Sequence, residues 1–132
     1  MAKTVETVVP VDLSKPADQQ DIPLHNRWHP EIPAVATQKT NTVFKLMCYD
    51  WTGGQIKNTD SAEDIKNVDL SRCHHLTGPI RIEDENGVLC KPGDLLVVHI
   101  LDIGPLPESN WGYTGIFDRD NGGGLLTDWH PG

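Results

Sequence analysis

Polar and apolar residues alternate with a period of two over much of this chain, and the elements this predicts are short strands. The opening KTVETVVPVDL alternates and is rich in valine and threonine, which predicts an edge strand interrupted at Pro10. TNTVFKLMCYDW reads as a strand alternating from Val43 and Lys45 onward, and it ends at a Thr52-Gly53-Gly54 turn. The strongest signal is GPIRIEDENGVLCKPGDLLVVHILDI. There Ile80 and Ile82 alternate, Asn86-Gly87 is a hairpin dipeptide, Pro92-Gly93 is a turn, and a long apolar strand starts at Leu95. Adjacent antiparallel strands are expected from that order, with one more strand from Tyr113 to Phe117 before the Gly122-Gly123-Gly124 loop.

Helical spacing occurs once, in SAEDIKNVDL. Ser61 is placed to cap, Asp64 stands where a capping box has Glu or Gln, and Ile65 and Val68 share a face, so at most two turns are expected. Between Pro16 and Pro33 the chain should be extended. Pro23, Pro30 and Pro33 each push the preceding residue out of the helical region, leaving an arm that carries His25, Arg27, Trp28 and His29 and packs across the domain or onto a neighbour.

With 132 residues the chain suits one domain, and ten prolines with twelve glycines favour turns and strands over helix. The expected fold is mainly β, an antiparallel sandwich-like domain with little helix, in which residues 1–40 form the Pro-rich arm and residues 41–132 the β-domain. A formal net charge of −8, spread along the chain, excludes nucleic acid and anionic membrane surfaces as natural partners. No apolar run is long enough for a membrane helix and the N-terminus lacks a signal-peptide core, so a cytoplasmic protein is expected. Cys48, Cys73 and Cys90 are odd in number without C-x-x-C spacing, which points to reduced thiols, with Cys48 as a small buried residue.

Candidate chemistry gathers in CHHLTGP, residues 73–79. His74 and His75 are adjacent, so in an extended segment they face opposite ways and cannot readily share a metal. One is expected to be functional and the other solvated. Asp50 and Asp60 stand at strand ends and turns, where sites concentrate but where any β-domain has polar residues. No phosphate-binding glycine motif, Gly-x-Ser-x-Gly elbow or His-Glu-x-x-His is present.

LHNRWHPEIPAVA, DWTGGQIKNTDSAEDIKNVDL, the His-x-Leu-Thr-Gly-Pro-Ile run from His74, KPGDLLVVHILDIGPLP and NGGGLLTD together resemble the N-terminal part of the acetamidase/formamidase family. The first two segments resemble formamidases in particular. The resemblance implies hydrolysis of a small amide, formamide to formate and ammonia, on a mainly β scaffold that forms homo-oligomers, with a divalent metal such as zinc. Members of the family are much longer, so the present fold is expected to be incomplete relative to theirs.

Positions that match the family's shared motifs are Asp50, Gly54, Gln55, His74, Thr77, Gly78 and Pro79, with Asp60 and Asp128 in the formamidase-like segments. From their chemistry, His74 is expected to act as metal ligand or general base, with Asp50 or Asp60 orienting it or ligating metal. Gln55, Gly54, Thr77, Gly78 and Asp128 are expected to shape the site. By itself the chain is expected to be inactive. The alternative is a non-catalytic β-domain that serves as a binding or assembly module.

Overall fold

The computed structural model describes residues 4–117. Four short strands carry the regular structure: β1 (Glu6–Val9), β2 (Ala36–Lys39), β3 (Phe44–Leu46) and β4 (Ile80–Glu83). One helix, α1 (Ala62–Lys66), follows the β3 segment, and single 3-10 turns lie at Ala17–Gln19, Leu70–Arg72 and Pro107–Ser109. The regular structure of the described residues is thus mainly strand, with little helix. No helix among the described residues is long and apolar enough to cross a membrane.

The pairing differs from the expected antiparallel order. β1 pairs with β3, and β2 with β4, both in parallel, with Glu6 opposite Phe44 and Ala36 opposite Ile80. The Asn86-Gly87 turn does form: the Asp84 N–H donates to the Val88 carbonyl, the Gly87 N–H to the Asp84 carbonyl, and the Cys90 N–H to the Ile82 carbonyl. Antiparallel pairing there extends only to the Glu83–Leu89 bridge before the chain turns away at Pro92-Gly93, and β2 lies along the other edge of β4. A hairpin signal fixes only the strands it joins. It says nothing about which distant segment will occupy the other edge.

Each local element has a cause in the sequence. β1 ends where Pro10 removes a ladder donor. In α1 the Ser61 hydroxyl accepts from the Glu63 N–H, as the capping pattern predicts. Asp64, however, accepts from Lys57 N–H and the Thr59 hydroxyl instead of closing a capping box. Two Asp-x-Ser turns repeat one geometry. Asp12 accepts from the Ser14 hydroxyl and N–H at 2.6 and 2.9 Å, and Asp69 from those of Ser71 at the same two distances. In each, the serine hydrogen bonds hold the carboxyl below its ordinary range.

Two small apolar clusters form the core. Val11, Ala17 and Tyr49 pack with Leu13, Leu24 and Met47, while Ile56, Val68 and Cys73 pack with Ile65 and Phe117. The buried cysteine is therefore Cys73. Cys48 is exposed, against expectation, because the alternation that was to bury it ends with β3 at Leu46. The expected strands from Leu95 and from Tyr113 to Phe117 are not formed among the described residues, and Leu95, Val98, Ile100 and Ile103 are exposed.

Candidate functional site

Asp50 organises the turn that follows the β3 segment. Its Oδ1 accepts from the Thr52 N–H at 2.8 Å and the Thr52 hydroxyl at 2.5 Å, and its Oδ2 accepts from the Gly54 N–H at 2.8 Å. Thr52 is fully buried, and its hydroxyl oxygen accepts in turn from the Gln55 N–H at 3.2 Å. This winding puts Gly54 at φ +79°, where a Cβ would lie 2.7 Å from the Tyr49 hydroxyl, so both conformation and space require glycine.

Gln55 joins this turn to the next loop. Its Oε1 accepts from the Asp69 N–H at 2.8 Å, while its Nε2 donates to the Thr52 carbonyl at 2.7 Å and the Asp69 carbonyl at 3.2 Å. Thr77 has a similar task, its hydroxyl donating to the Met47 carbonyl at 2.8 Å. Gly78 is buried at φ +118°, and the Gly78-Pro79 peptide is cis. Asp50, Gly54, Gln55, Thr77 and Gly78 thus build the loops, with most of their polar capacity spent on backbone.

His74 lies against this framework. Its N–H donates to the Trp51 carbonyl at 2.6 Å and its ring sits 5.5 Å from the Trp51 ring. The backbone at His74 is left-handed, φ +61°, an uncommon state for a residue other than glycine. That twist breaks the alternation expected of an extended pair. His75 is accordingly not the solvated partner expected: it is half-buried, and its Nδ1 is enclosed with no hydrogen-bond partner among the described residues. A Cβ on Gly53 would stand 3.4 Å from that nitrogen.

Asp60 is exposed, also left-handed at φ +53°, at the entrance to α1. Neither Asp60 nor Asp50 hydrogen-bonds the His74 ring. Asp128 lies outside the described residues. Among the described residues no three His, Cys, Asp or Glu side chains converge to hold a metal. The described residues do not by themselves fit a divalent metal, and among them His74 would bring a single ligand.

The arm borders the same loops. His25 and Leu76 form an antiparallel bridge, the Val35 N–H donates to the Pro79 carbonyl at 2.9 Å, and Asn26 donates to the Ser71 carbonyl. Between arm and loop lies a cavity of about 310 Å³ lined by residues that include His25, Trp28, Cys48 and Thr77.

A second cavity, of about 270 Å³, opens beside Asp50 and is lined also by Trp51, Ile56, Trp111 and Tyr113. Burial pushes the Tyr113 phenol above its ordinary value; hydrogen bonds with Trp51 and Thr52 pull against this, and the Asp50 charge adds to it. Sequence reasoning missed Trp111 and Tyr113. The aromatic and glycine content of SNWGYTG was visible, but period-two alternation presented it as a strand. The Cys73 thiol is pushed up by burial first and then by Asp69 and Asp50, which makes it a poor nucleophile.

Comparison with known proteins bears on this arrangement. The model of the Acetamidase/Formamidase family matches residues 10–132. The chain is 53% identical to an acetamidase of Mycolicibacterium smegmatis, over 96% of this chain and 32% of that protein. It is 49% identical to a formamidase of Methylophilus methylotrophus, over 96% of this chain and 30% of that one. Among solved structures it matches a gamma lactamase from Delftia acidovorans with a TM-score of 0.82 and 48% identity, covering 94% of this chain and 29% of the other. The chain therefore spans about a third of the length of these relatives.

Proposed function

The chain belongs to the acetamidase/formamidase family, and on that premise we propose that it is part of an amide hydrolase acting on a small linear amide. The reaction is formamide with water to formate and ammonia, and this stretch supplies the framework of the site instead of a complete catalyst. The observation that carries the reading is the 49–53% identity to a formamidase and an acetamidase over nearly the whole chain. That identity includes the region whose loops Asp50, Gln55 and Thr77 hold in place.

The chemistry on hand suits binding more than bond cleavage. A small amide is planar, with a carbonyl that accepts and an NH₂ that donates. In the cavity beside Asp50, Trp51 and Trp111 offer apolar faces, and the Tyr113 hydroxyl, protonated at neutral pH as an ordinary phenol is, can donate to the carbonyl. His74 is the nearby group suited to moving a proton, since an imidazole ring carries one nitrogen that can accept a proton and one that can donate it. The described residues bring no base or nucleophile into hydrogen-bond contact with it, and catalytic groups that act as a unit lose nearly all effect when one is missing.

Ammonia release measured with this chain alone, and with a Mycolicibacterium acetamidase whose matching third is replaced by it, tests both halves. The chimera should hydrolyse formamide or acetamide and the isolated chain neither. A folded chimera that hydrolyses no amide overturns the substrate class. Turnover by the isolated chain overturns the framework role.

A further inference from the structure

Residues 95–103, LLVVHILDI, follow the Pro92-Gly93 turn and make no backbone hydrogen bond to any other described residue. Their side chains are as unpartnered as their backbone: Leu95 is 92% exposed, Val98 74%, Ile100 77% and Ile103 87%. In an extended segment successive side chains point to opposite faces. Leu95, Val97, Leu101 and Ile103 then stand on one face with His99 among them, and Leu96, Val98 and Ile100 on the other with Asp102 at its end, so both faces are predominantly apolar.

A strand with one apolar face lies on a core. A strand apolar on both faces is covered on both, the pattern of an interior strand. An exposed apolar edge of this length is also a template for pairing with another chain. The relatives indicate what the cover is. Nine-tenths of this chain superposes on a solved protein of which it makes up 29%, so the larger remainder is polypeptide that the described fold is shaped to accompany.

We propose that residues 95–103 are an interior strand of a composite sheet. Its neighbouring strands and both covering layers come from polypeptide corresponding to the other two-thirds of the family's length. The segment is thus the principal docking surface between the two parts. This rests on family membership and not on the amide reading, so its test reads structure and association without turnover.

Hydrogen–deuterium exchange on the chain alone and on the acetamidase chimera reads the surface directly. Amides of residues 95–103 should exchange freely in the chain and at least about a hundredfold more slowly in the chimera. As a second measurement, the tagged chain is co-expressed with the remaining two-thirds of the Mycolicibacterium acetamidase. Capture should be at one-to-one stoichiometry, lost in Val98→Asp and in Leu101→Asp, one on each face, and kept in Val88→Asp, an exposed apolar position outside the segment. Equal exchange in chain and folded chimera overturns the proposal. So does capture indifferent to both face variants, no capture of a soluble remainder, or a dimer of this chain that protects the same amides and excludes it.

Discussion

Gln55 holds Asp69 by both backbone groups, accepting from its N–H at 2.8 Å and donating to its carbonyl at 3.2 Å. Fourteen residues of chain, α1 included, are closed by that one side chain. Gln55→Ala removes the clasp and leaves the Thr52 carbonyl without its 2.7 Å donor. It should destabilise the fold by about 1–3 kcal/mol, read as a lower urea midpoint in the chimera. Gln55→Glu should be worse at neutral pH, since a carboxylate would face two carbonyl oxygens.

Gly54 and Gly93 both have positive φ, but only Gly54 is crowded. A Cβ on Gly93 meets nothing within 4 Å, whereas on Gly54 it meets the Tyr49 ring and hydroxyl. Gly93→Ala should cost no more than about 1–2 kcal/mol, the backbone penalty alone. Gly54→Ala should exceed it by about 1 kcal/mol or more, because Tyr49 must move and give up its 2.8 Å bond to the Lys15 carbonyl. Denaturant midpoints of the two variants against the parent check the order.

The three cysteines should separate by accessibility. A thiol reagent at neutral pH should modify Cys48 and Cys90 quickly and Cys73 slowly, and all three after denaturation. Burial raises the Cys73 thiol, so between the ordinary thiol pKa, about 8.5, and its folded value the native state binds more protons than the unfolded one. Stability should then fall as pH rises through that window. Tyr49, raised chiefly by burial, extends the same trend to higher pH. An unfolding midpoint that rises with pH above 8.5 would contradict this.

In the active chimera, His74→Ala should lower kcat by about a hundredfold, the usual yield of a positioned proton-transfer group. His75→Ala should leave kcat within a few-fold. Steady-state kinetics on both variants, with circular dichroism as a check on folding, decide it. Equal losses would remove the distinction.

What could be read from the residues was local. Pro10 ends β1, Ser61 caps α1, and Asn86-Gly87 makes its turn, because each acts through contacts a few residues long. Parallel pairing was not legible, since nothing near Ala36 says that its partner is Ile80. The site shows the same division. The motif positions Asp50, Gly54, Gln55, Thr77 and Gly78 do fall in adjoining loops, yet their hydrogen bonds go to backbone, and that requires knowing where carbonyls such as those of Met47 and Asp69 end up. His74 misled about His75 because alternation assumes an extended backbone, and a left-handed residue breaks it.

The interleaved pairing also sets a timetable for synthesis. β1 leaves the ribosome with its partner β3 still about forty residues away, which at ordinary elongation rates is a wait of roughly 2–8 seconds. β2 emerges during that wait and must hold open for β4, another stretch of about the same length. β1 therefore waits unpaired until Phe44 is made, and β2 until Ile80 is made, so the order of synthesis leaves both strands without their partners for seconds.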